Sequence, residues 1–84
     1  MAKSPPAESS RVREILAINM KLRREELGLS QEALALECGL HRTYVAHVER
    51  QSQNPSLDSV EKISTALGVE VYELLTPPKG SRKR

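Results

Sequence analysis

Four side chains that could contact a nucleobase, Arg42, Thr43, His47 and Arg50, lie within the nine residues RTYVAHVER. If this segment is a helix, each residue turns about 100°, and Arg42, Ala46, Arg50, Thr43 and His47 share a sector of about 140° with Val45 and Val48 opposite. An arginine fork can make two hydrogen bonds to a guanine edge, a threonine can meet a base edge or a methyl group, and a small alanine lets the backbone approach closely. A solvated amphipathic helix carries the same pattern, so periodicity alone leaves both readings open.

Other chemistry finds little material. The chain has one Cys and two His, too few soft ligands for a closed zinc site. His41 and His47 would project from different sides of a helix, so no metal is expected. Cys38 is expected to pack as a small apolar residue. No Ser-His-Asp arrangement, paired carboxylates or glycine-rich phosphate loop can be argued from spacing, so neither an enzyme nor a cofactor is expected.

Composition narrows the setting. With 84 residues, 38% hydrophobic and 29% charged, there is room for one small core. The net charge is +2, yet residues 11–78 carry eight basic and ten acidic side chains. Nucleic-acid binding must therefore rest on the placement of particular charges. No apolar run approaches a membrane span, and no signal peptide begins the chain; a soluble cytoplasmic protein without membrane contact is expected. With no Phe or Trp and two Tyr, the core must be aliphatic, and so small a core favours dimerisation.

The elements that would position the four side chains are marked by their ends. Residues 1–10 and 77–84 are rich in Pro, Ser and charge and are expected to be flexible tails, the second one basic. They flank a folded domain at 11–76. Gly28, Gly39 and Gly68 each follow an apolar stretch and precede an apolar residue, as a left-handed glycine ending a helix does. Ser9 or Ser10, Ser30 and Ser56 can cap helices running to about Leu27, Cys38 and Leu67. A further helix is expected at about 42–50, where His41 would be a poor cap, and a short one at about 71–75, stopped by Pro77. The fold class is all-α with five helices. The second and third, separated by Gly39, Leu40 and His41, have the layout of a helix-turn-helix.

The order Leu27-Gly28-Leu29-Ser30-Gln31-Glu32-Ala33-Leu34-Ala35, Cys38-Gly39-Leu40, Arg42-Thr43-Tyr44-Val45, Val48-Glu49-Arg50, Asn54-Pro55-Ser56-Leu57 and Ala66-Leu67-Gly68-Val69 resembles the Cro/CI-type (XRE) helix-turn-helix regulators. Arg-Thr-Tyr at the start of the third helix also resembles restriction-modification controller proteins. The resemblance implies a compact five-helix domain like that of lambda repressor, which binds double-stranded DNA. It implies base contacts by Arg42, Thr43 and His47, and phosphate contacts by Gln31, Tyr44, Arg50, Gln51, Ser52 and Asn54. It further implies an ion pair between Arg24 and Glu49 beneath the DNA surface.

One helix in one groove reads few base pairs, so a homodimer on a palindromic operator is expected. Its interface is expected at Val69, Val71, Tyr72, Leu74 and Leu75. RNA polymerase is a candidate partner: Glu32 matches an acidic activating position of the family, whereas Leu36 occupies a second one. The alternative is a protein-interaction or antitoxin-like adaptor module using the same fold, with an outward Leu36 as its contact.

Overall fold

The computed structural model describes residues 11–78, so the expectations for 1–10 and 79–84 lie outside the described residues. Five helices follow in chain order: α1 Arg11–Glu26, α2 Gln31–Cys38, α3 Arg42–Glu49, α4 Leu57–Leu67 and α5 Val71–Leu74. No strand occurs among the described residues.

Local chemistry accounts for most boundaries. Ser30 and Ser56 are the N-caps of α2 and α4, their hydroxyls accepting from the amides of Ala33 and Ser59, both at 3.0 Å. Those amides have no partner within the helix, so each cap satisfies a group that would otherwise need water. At the C-terminal end of α2, Gly39 takes φ +73° and the next amide, that of Leu40, returns to Ala35 O at 3.0 Å. Gly28 and Gly68 end α1 and α4 in the same way.

Three boundaries differ slightly from the sequence reading. α1 ends at Glu26, α3 at Glu49 and α5 at Leu74, each one residue early. His41, expected to cap poorly, caps α3 well: its Nδ1 accepts from the Thr43 amide at 3.1 Å.

Leu16 and Met20 of α1, Leu34 of α2, Val45 and Val48 of α3, Ile63 and Leu67 of α4, and Leu74 of α5 form one aliphatic core with their neighbours. α3 packs against both α1 and α2, α4 against α1 and α2, and α5 against α1 and α4. Polar groups of α1 tie down the carboxyl ends of the last two helices. Arg23 Nε donates to Leu67 O at 3.0 Å, and Asn19 Nδ2 donates to Leu74 O at 2.8 Å and Thr76 O at 2.7 Å. Carbonyls at helix ends have no partner within the helix, and here α1 supplies one.

Candidate nucleic-acid interface

α3 is held from beneath by Glu49 in its last turn. Arg24 Nε lies 2.7 Å from Glu49 Oε2 and Arg24 Nη2 lies 3.0 Å from Oε1, while Gln31 Nε2 donates to the same Oε1 at 3.0 Å. The remaining guanidinium nitrogen, Nη1, donates to Leu29 O at 2.8 Å. The two charged side chains are only 11% and 4% exposed, so the carboxylate and guanidinium must satisfy each other. The hydrogen bond to Glu49 outweighs desolvation and pushes the Arg24 pKa above the ordinary arginine value. One carboxylate thereby joins α1, α2 and α3, and it fixes orientation more than it adds net stability.

Above this clamp, Arg42 and Thr43 are exposed, and Tyr44 is half-buried and packed against the core. His47 is half-buried one turn further along. Ala46 does not share the open face. It is 8% exposed, because α3 lies between α1 and α2 and its covered sector is wider than the single stripe of Val45 and Val48. Arg24, Ser30, Gln31, Glu32 and Arg42 line an open groove of about 640 Å³ where the α2 N-terminus meets α3.

Arg50, Gln51, Ser52 and Asn54 follow α3 in a turn. Arg50 is the exposed C-cap. Gln51 adopts φ +64°, its amide donating to Val48 O at 3.0 Å, and the Ser52 amide donates to His47 O at 2.9 Å. This closure matches that at the three glycines, but it places an L side chain in left-handed backbone. Ser52 Oγ also donates to His47 O, at 3.3 Å. Asn54 is exposed.

The expected contacts between copies divide. Leu74 is 2% exposed, so it belongs to the monomer core and not to an external face. It is buried because α5 must close the end of the fold over α1 and α4. Val69, Val71 and Leu75 are partly buried against that core, whereas Tyr72 is 68% exposed. Sequence reasoning missed Ile18 and Leu22, outward apolar residues of α1. Leu22 lines a shallow pocket with Asn19 and Val69. Their spacing of four was the available signal. Cys38 is buried and its thiol pKa is raised, chiefly by desolvation. Among the described residues no group of His, Cys, Asp and Glu could hold a metal ion, and no helix is long and apolar enough to cross a membrane.

The family model described as "Helix-turn-helix" matches residues 20–74. The chain is 53% identical over 68 residues to a protein of Neisseria meningitidis named as a hypothetical transcription factor, covering 81% of this chain and 64% of that one. It is also 53% identical over 55 residues to the control protein C.BamHI of Bacillus amyloliquefaciens, covering 66% and 68%. The crystal structure of the restriction-modification controller protein C.Esp1396I, a tetramer in complex with its natural 35 base-pair operator, matches with a TM-score of 0.73 at 34% identity. That match covers 80% of this chain and 92% of the other.

Proposed function

We propose, from the premise that the chain belongs to the helix-turn-helix family of Cro/CI (XRE) type, that it is a sequence-specific transcriptional regulator. In this reading it binds a palindromic operator as a homodimer, with α3 in the major groove. The observation that carries the reading is the Glu49 clamp: it locks α3 to α1 and α2 from below while Arg42 and Thr43 stay exposed above. A base-reading helix needs this combination, because hydrogen bonds to base edges discriminate only if the donors are held in register.

The residues then take separate roles. Arg42, Thr43 and His47 read bases. Gln31, Tyr44, Arg50, Gln51, Ser52 and Asn54 meet phosphate and set register. Gln31 does so while its amide braces Glu49. Tyr72, with Val69, Val71 and Leu75 and the α1 residues Ile18 and Leu22, forms the face between copies. The named controller relative bound to its operator as a tetramer supports a multimeric DNA-bound state.

Glu32 and Leu36 are both exposed, Leu36 at 79%, and they lie four apart on α2. This outward strip is the place for a contact with RNA polymerase. It also favours the second reading, a protein-interaction module. A co-purifying partner whose affinity is insensitive to salt would support that alternative, since phosphate contacts give a steep salt dependence.

Titration of wild type and Arg42→Ala against a selected operator and a scrambled duplex tests the base-reading role. The variant is expected to lose about 1–3 kcal/mol on the operator and much less on the scrambled duplex. Equal losses on both would reject it.

A further inference from the structure

One face of the protein carries an open cleft and an uncovered ring side by side. The cleft measures about 190 Å³ and lies between α1 and α5, with Leu22, Val69 and Leu74 as its apolar walls. That is the size class of an aromatic ring, since a cavity of about 150 Å³ holds a benzene molecule. Tyr72 is not among the lining residues, although the next residue, Glu73, is one of them. Its side chain stays 68% exposed, so the ring does not fill the cleft of its own protomer. The chain's other tyrosine, Tyr44, packs against the core.

Both parts are held in place before any partner arrives. α5 has four residues, too few to be stable as a helix alone, and Asn19 fixes its end: Nδ2 lies 2.8 Å from Leu74 O, 2.7 Å from Thr76 O and 3.3 Å from Glu73 O. The Thr76 hydroxyl in turn donates to Tyr72 O at 2.6 Å. Arg23 Nε holds Leu67 O at 3.0 Å, just before Val69. Groups ordered in the free protein lose little freedom on association. A projecting ring and an open cleft on the same patch are what a two-fold axis requires, because each copy must supply both halves of every contact.

Building on the homodimer reading above, we infer that Tyr72 of each copy seats in the α1–α5 cleft of the other, so that two identical ring contacts close the pair. The cleft is then incomplete in one copy and filled by the second. Leu22 and Val69 lose water to the ring, while Glu26 and Glu73, exposed at the cleft, offer carboxylate oxygens to the phenol hydroxyl. A buried aromatic anchor concentrates binding energy at one point of an interface. Because each seat is tied to α1 through Asn19, the two contacts also fix the separation of the paired α3 helices.

Sedimentation equilibrium of the full chain without DNA tests the seating. Tyr72→Ala should raise the dimer dissociation constant about a hundredfold with helix content unchanged by circular dichroism. Tyr72→Phe, which keeps the ring, should stay within about tenfold of wild type. An unchanged constant for Tyr72→Ala, or an equal loss in Tyr72→Phe, overturns the seating and leaves the homodimer reading standing. A wild type that stays monomeric both in solution and on a selected operator overturns that reading as well. Cross-linking with and without the operator tests the register, so that a pair formed only on DNA is also scored. In a Cys38→Ala background, copies carrying Tyr72→Cys are mixed with differently tagged copies carrying Leu22→Cys and oxidised. Disulfides should join unlike copies; disulfides confined to like copies, or none at all, overturn the proposal.

Discussion

Gln51 stands where three other helix ends of this chain have glycine. Its backbone at φ +64° costs about 1 kcal/mol for an L residue, and the turn it closes has the same hydrogen bonds as those at Gly28, Gly39 and Gly68. We propose that a side chain kept at such a cost, in the proposed phosphate-binding loop, makes a contact outside the fold. Gln51→Gly should therefore raise stability by about 0.5–1 kcal/mol, seen as a higher urea midpoint, while weakening operator binding. Higher stability with unchanged DNA affinity would remove Gln51 from the interface.

At the scale of the helices, the Arg24–Glu49 pair is the joint on which α3 depends. Glu49→Ala leaves a guanidinium that is 11% exposed without its carboxylate, which should cost about 3 kcal/mol in chemical denaturation. The double variant Arg24→Met, Glu49→Leu should recover much of that loss, since apolar packing can replace a buried pair. A double variant as unstable as the single one would contradict this view of the joint. Most helix ends were legible because caps and glycines act within a few residues: Ser30, Ser56, Gly28, Gly39 and Gly68 all perform as their types predict. His41 was not legible, because an imidazole caps only when one ring nitrogen is turned to the amide. Ala46 was misplaced because a helical wheel represents burial by one partner as a stripe, whereas α3 has two partners. The bonds from Asn19 and Arg23 span 44 to 57 positions along the chain, and no local pattern announces them. Leu74 was misassigned for the same reason: α5 closes the core only after those distant contacts set its position.

For the whole molecule, charge placement matters more than charge total. Residues 11–78 are slightly acidic, and the cations proposed at the DNA are Arg42 and Arg50 of each protomer, the other proposed contacts being neutral or a histidine. Arg50 is the one cation proposed at phosphate, so the logarithm of operator affinity against the logarithm of salt concentration should fall with a slope of about −2 for a dimer. A slope near zero would favour the protein-interaction reading. The face bearing Tyr72, Leu22 and Val69 would set the spacing of the paired recognition helices. Selection of bound duplexes from a random pool, run in parallel for wild type and Arg42→Ala, probes reading and pairing together. Wild type should enrich a two-fold symmetric motif with half-sites about one helical turn apart, and Arg42→Ala should enrich the same motif with one base pair per half-site relaxed. Failure of wild type to enrich any motif, or an unchanged motif from the variant, would contradict the account of α3 as a helix that reads bases.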